Sequence, residues 1–116
     1  MPLFRIARDQ PTGVQVITLQ GRVTFGRQTE QCRQQVKELL AQGEKKFLFD
    51  LAGVEYVDSA GIGFLVSCLT SLGQGGARLK LASPPERIRY VLGITNLHTV
   101  FDICESRDQA LARFKN

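Results

Sequence analysis

The stretch from Phe47 to Leu72 limits the folds open to this chain more than any other. Phe47-Leu48-Phe49-Asp50-Leu51 is an apolar run of strand length, and Ile62, Leu65, Val66, Leu69 and Leu72 then recur at helical spacing. The order predicts a buried strand, a short loop over residues 52–57, and a helix that opens on Asp58-Ser59-Ala60-Gly61-Ile62-Gly63. Glycine inside a helix costs roughly 1 kcal/mol relative to alanine. Two of them in the opening turns therefore require that another backbone, a phosphate or a partner come close to that end.

The flanking segments extend the same pattern. Leu3 to Arg8 and Val14 to Leu19 read as two strands joined by turn chemistry at Pro11-Thr12-Gly13, which predicts an antiparallel hairpin closed by Gly21. A loop through Val23, Thr24 and Phe25 leads to a helix with Thr29, Cys32, Val36, Leu39 and Leu40 on one face. Leu79 to Ala82 is a short strand. Ser83-Pro84-Pro85-Glu86 reads as a capping box opening a third helix, with Ile88, Val91 and Leu92 inward. Val100 to Ile103 is a last strand, and Ser106 to Gln109 caps a last helix. Strands alternating with helices after a hairpin predict an α/β fold. Residues 1–116 form one domain with a mixed central β-sheet and about four packed helices.

Composition excludes several classes. The net charge of +4 comes without a stretch that concentrates Lys and Arg among aromatics, so no direct nucleic-acid contact is expected. The longest uncharged stretch, Ser59 to Ala77, is about half Gly, Ser, Thr and Gln, and falls short of the ~20 apolar residues of a membrane span. Cys32, Cys68 and Cys104 are scattered, with no CxxC pair, and read as small buried hydrophobes of a reducing, cytoplasmic compartment.

Enzyme chemistry finds no constellation. Ser59 invites comparison with a nucleophile elbow, but Val57 stands where that turn needs glycine. His98 is the one histidine and sits in a loop before the last strand. Gly61-Ile62-Gly63 lacks the third glycine of a dinucleotide cradle, because Val66 takes its place, and no GK[ST] follows. Asp50, Asp58 and Asp102 are single carboxylates near strand ends, and no ligand cluster for a metal exists. The chain is therefore read as a non-enzyme that needs no cofactor.

What remains is the Asp58-Ser59 corner. Both residues suit helix capping, worth about 1 kcal/mol. A serine there also suits a phosphate, whose charge is favoured by the exposed amides and the helix dipole. At 100° per residue, Ala60, Gly63, Phe64, Ser67, Thr70 and Ser71 fall opposite the core stripe. A solvated helix carries Lys and Glu on that side. Small residues around Phe64 predict instead a flat docking face made of Ala60, Gly61, Gly63, Phe64 and Ser67, unless another helix of the chain covers it.

These residues resemble a known family. Phe47 to Leu51, Val54, Val57 and Asp58-Ser59-Ala60-Gly61-Ile62-Gly63-Phe64-Leu65 are similar to the signature region of STAS domains, and most similar to stand-alone anti-sigma factor antagonists. The likeness continues through Gly75 to Ala82, Val91 to Leu97, and Phe101-Asp102, so it covers essentially the whole chain. It implies an antagonist that binds an anti-sigma factor and is released when that factor, also a serine kinase, phosphorylates Ser59 with ATP. A phosphatase resets the switch, and Asp58 caps the helix and sets the local charge. One position departs from the pattern. Many such antagonists carry Asp after the second strand, where Gly21-Arg22-Val23-Thr24 places Thr24 as the loop contact. That leaves room for relatives that work without phosphorylation, as lipid-transport subunits or stress-signalling scaffolds. It also leaves room for nucleotide bound directly near Ser59 and Thr24, and for a weak homodimer through the hairpin edge.

Overall fold

A computed structural model describes residues 2–115. Five strands, β1 (Phe4–Asp9), β2 (Val14–Val23), β3 (Lys46–Val57), β4 (Arg78–Ala82) and β5 (Asp102–Cys104), lie in the order of the chain. β1 and β2 pair antiparallel, and every later pair is parallel. The helices are α1 (Arg27–Ala41), α2 (Ser59–Gln74), α3 (Glu86–Ile94) and α4 (Arg107–Arg113), with a 3-10 turn at Leu97–Thr99. This is the predicted α/β architecture: a mixed sheet, an N-terminal hairpin and four helices.

The apolar run at Phe47 reflects β3's place in the middle of the sheet. Phe47, Phe49 and Leu51 face one core with α1, α2 and α3, while Leu48 faces a smaller one with Ala110 and Phe114 of α4. A parallel strand buried on both sides reads as continuous hydrophobicity. The hairpin turn is fixed by Asp9, whose carboxylate accepts from the Thr12 amide at 3.1 Å and whose carbonyl accepts from the Gly13 amide at 2.7 Å.

Four boundaries differ from the sequence expectations. Residues 52–57 are the second half of β3 rather than a loop, and β2 runs past Gly21 to Val23. The two extensions pair with each other through register shifts at Thr18/Gln20 and Gly21/Arg22, with Gly21 at φ +81°. Ser83 does not cap α3. It has φ +57°, its amide donates to the Cys104 carbonyl, and Pro85 takes the N-cap position. The last strand begins at Asp102, because Val100 closes the 3-10 turn and is exposed. The second capping box does form, as Ser106 Oγ accepts from the Gln109 amide at 3.0 Å.

Candidate functional site

The site is the corner where β3 delivers the chain into α2. Asp58 is the N-cap in extended backbone, and its Oδ1 accepts from the Gly61 amide at 2.8 Å while its carbonyl accepts from Ile62. The side-chain bond satisfies one of the four orphan amides of a helix start, and the carbonyl bond is the first of the helix's own ladder. Ser59, the first helical residue, is exposed. Because Asp58 does the capping, the Ser59 hydroxyl is not the group that closes the helix.

Gly61 answers the question its presence raised. A Cβ at Gly61 would lie 1.9 Å from the Val23 carbonyl oxygen. The backbone that comes close is the chain's own, at the exit of β2. Gly61 is accordingly buried, and the expectation that it lies on the docking face is corrected. Phe64 is corrected as well. It is 7% exposed and its ring stacks on Phe49, with centroids 6.1 Å apart and planes 5° from parallel. The reason is that α1 packs beside α2, so the buried arc of α2 is Gly61, Phe64, Leu65, Cys68 and Leu72, while Ile62, Val66 and Leu69 are half-buried. Ala60 and Gly63 are exposed and Ser67 half-buried, so of the predicted face these three remain open beside Ser59.

The β2–α1 loop stands next to this opening. Thr29, at the start of α1, is buried, and its Oγ1 shares a proton between the carbonyls of Thr24 at 3.1 Å and Gly26 at 2.9 Å. Thr24 is half-buried and tied through its carbonyl. The loop tip, Phe25, is 89% exposed. A hollow of about 250 Å³ between α1 and α2 is bordered by Phe25, Thr29, Glu30 and Arg33 on one side and by Ala60, Gly63, Ser67 and an edge of the mostly buried Phe64 on the other. Nothing in the periodicity of the chain singles out Phe25. The available signal was a lone aromatic between Thr24 and Gly26, outside any apolar repeat.

Charge around the corner is partly neutralised. Glu30 and Arg33 pair along α1, and the hydrogen bond from Arg33 holds the Glu30 carboxyl below its ordinary range. The Arg22 guanidinium lies 4.4 Å over the Tyr56 ring. Beneath the helices, burial pushes the Cys32 and Cys68 thiols up to about 12, so both stay protonated at neutral pH. Neither is a nucleophile there. His98 is exposed on the 3-10 turn. Among the described residues no group of three His, Cys, Asp or Glu side chains is placed to hold a metal, and no helix is long and apolar enough to cross a membrane.

A five-stranded mixed sheet with an exposed serine behind an aspartate cap at the mouth of its second helix defines a domain of a known kind. The chain belongs to the STAS domain family, whose model matches residues 5–110. A Thermotoga neapolitana relative, assigned provisionally by name as an anti-sigma factor antagonist, is 39% identical over 74 residues, which is 64% of this chain and 66% of the relative. BtrV of Bordetella bronchiseptica, assigned in the same provisional way, is 27% identical over 97% of this chain and 96% of its own length. The unphosphorylated form of the anti-sigma factor antagonist SpoIIAA superposes with a TM-score of 0.79 at 21% identity, covering 97% of this chain and 96% of that one. A phosphorylated form of SpoIIAA from Bacillus superposes with a TM-score of 0.75 over 95% of this chain and 97% of that one. At such identity the SpoIIAA likeness is one of fold.

Proposed function

We propose that this chain is an anti-sigma factor antagonist, that it binds an anti-sigma factor which is also a serine kinase, and that phosphate on Ser59 ends the contact. One observation carries this: Ser59 is exposed at the first turn of α2 while its neighbour Asp58 does the capping. The names of the Thermotoga and Bordetella relatives support the partner class. A fold neighbour solved with and without phosphate supports the switch.

The unmodified corner is small and neutral at Ser59, Ala60, Gly63 and Ser67, so a partner surface can approach it closely. The kinase transfers the γ-phosphoryl group of ATP to Ser59 Oγ. A P–O bond to serine forms, the bond to ADP breaks, and the hydroxyl proton passes to a base on the kinase. The product carries about −1.5 to −2 charges. The start of α2 tolerates that charge, because the helix dipole favours an anion there. A docked partner meets it as unpaired charge in the interface. A phosphatase restores the hydroxyl, and ATP and the sigma machinery place the protein in the cytoplasm.

The test is calorimetry against the serine-kinase anti-sigma factors of the source genome, purified singly. Ser59→Asp is expected to weaken binding at least tenfold, about 1.4 kcal/mol, and Ser59→Ala to bind yet resist phosphorylation. Unchanged affinity for Ser59→Asp overturns the proposal. A second function rests on Thr24, which leaves the loop without the carboxylate that many antagonists carry. In that case the chain is a STAS interaction module in a lipid-transport complex or a stress-signalling scaffold. Copurification with such a complex, together with an intact mass showing no phosphate on Ser59 in native cells, would favour it.

A further inference from the structure

We infer that Phe25 is the apolar anchor of the partner surface, and that the partner receives it in an apolar pocket bordered by carboxylates. The inference rests on the anti-sigma factor assignment proposed above and adds to it the chemistry of the contact. Phe25 is 89% exposed, the largest exposure among the big hydrophobic side chains of the described residues. It is not a loose loop residue. Thr29 ties the carbonyls on either side of it, and the Val23 carbonyl seats against Gly61. The tip is therefore fixed relative to the start of α2, and an aromatic held in place loses little freedom on binding.

Position and charge select the occupant. Phe25 stands between two hollows. One, of about 250 Å³, is shared with Ala60 and Gly63, so the aromatic is continuous with the surface beside Ser59. The other, of about 330 Å³, is bordered by Arg22 and Arg27 and by no carboxylate. On the α1–α2 side the carboxylate, Glu30, is already paired with Arg33. Phe25 is thus ringed by net positive charge, and aromatic and arginine side chains are those that dominate binding at interface centres. The complement is an apolar pocket with acidic borders. The same complement gives phosphorylation its force, because added negative charge on Ser59 would face a partner that is itself acidic.

The experiment measures affinity and association rate for the purified serine-kinase anti-sigma factor that binds the unaltered chain. Phe25→Ala is expected to weaken binding at least tenfold, Phe25→Leu less than Phe25→Ala, and Tyr90→Ala, on α3, not at all. Circular dichroism melts of Phe25→Ala matching the parent establish that the fold is intact. The double variant Arg22→Glu, Arg27→Glu is expected to slow association at least tenfold at low salt and to lose its acceleration as salt falls. If Ser59→Asp weakens binding while Phe25→Ala stays within twofold of the parent, the anchor is wrong and the proposed function stands. If the charge reversal leaves association unchanged or speeds it, the acidic border is wrong. Should the parent self-associate in sedimentation and Phe25→Ala abolish this, the occupant is a second copy and the inference falls. If no such kinase binds the parent, the proposed function fails, and the inference with it.

Discussion

At Gly61 a hydrogen in place of a methyl group decides whether two segments of backbone can touch. A Cβ there would meet the Val23 carbonyl at 1.9 Å, and carbonyls in a paired strand cannot step aside cheaply. Two residues on, a Cβ at Gly63 would meet nothing within 4 Å. The two glycines should therefore answer the same substitution with opposite signs. Gly61→Ala is expected to cost about 3 kcal/mol, the upper end of overpacking penalties. Gly63→Ala is expected to gain up to about 1 kcal/mol from helix propensity. Urea unfolding of both variants checks this, and equal effects would mean that the Val23 contact does not constrain α2. The need for a close approach at this turn was legible from the glycine pair, although only Gly61 of the two meets one. Which backbone approaches was not, because the contact joins residues far apart in sequence. Phe64 shows the complementary limit. A helical wheel places it opposite the core stripe, and only the seating of α2 between β3 and α1 turns that side inward, where its ring stacks on Phe49 of β3.

Among the elements, those with one clear period were legible and those that change their environment midway were not. β3 is buried continuously from Phe47 to Leu51, then only Val54 and Val57 are buried while Ala52, Gly53, Glu55 and Tyr56 are exposed. Register shifts against β2 break the two-residue alternation in that half, so it resembles a loop in sequence. The α1–α2 pair is better behaved, since Cys32 and Val36 face Phe64 and Cys68 in one core. The buried thiols there have a consequence for pH dependence. Their folded values are raised to about 12 from 9.0, so the folded state holds protons that the unfolded chain releases. Their contribution is fully present below pH 9 and is lost as pH rises toward 12. Each thiol adds a slope of up to about 1.4 kcal/mol per pH unit within that window. Cys68→Ala should flatten the fall in stability between pH 9 and 11 relative to the parent. Parallel denaturation curves for parent and variant would show that the thiols are not protected.

At the scale of the molecule, the sheet separates a face that carries both the site and the larger core from one closed by α4. α1, α2 and α3 share the larger core, and α4 closes the smaller one. What fixes α4 in place is Arg107, whose Nε and Nη2 donate to Asp50 Oδ2 at 2.9 and 2.7 Å and whose Nη2 also donates to Thr18 at 3.1 Å. Asp50 is buried on β3, and its other oxygen accepts from the Ala52 amide at 3.0 Å. An Asp within an apolar run is thus the anchor for the last helix, a partnership spanning 57 residues of chain that no local pattern announces. Arg107→Ala leaves the Asp50 carboxylate with both guanidinium donors lost and little water to replace them. Because the Arg107 side chain is itself 43% exposed, the cost is expected below that of a fully buried pair, at about 1–3 kcal/mol. Arg107→Lys should recover part of it, as a single ammonium cannot reproduce the forked contact to Asp50 and Thr18. Neither variant touches α2 or the β2–α1 loop. Melting temperature should therefore fall while affinity for the anti-sigma factor stays within twofold of the parent. A matched loss of affinity in the fully folded Arg107→Ala protein would mean that the α4 face takes part in docking, and the division between the two faces would not hold.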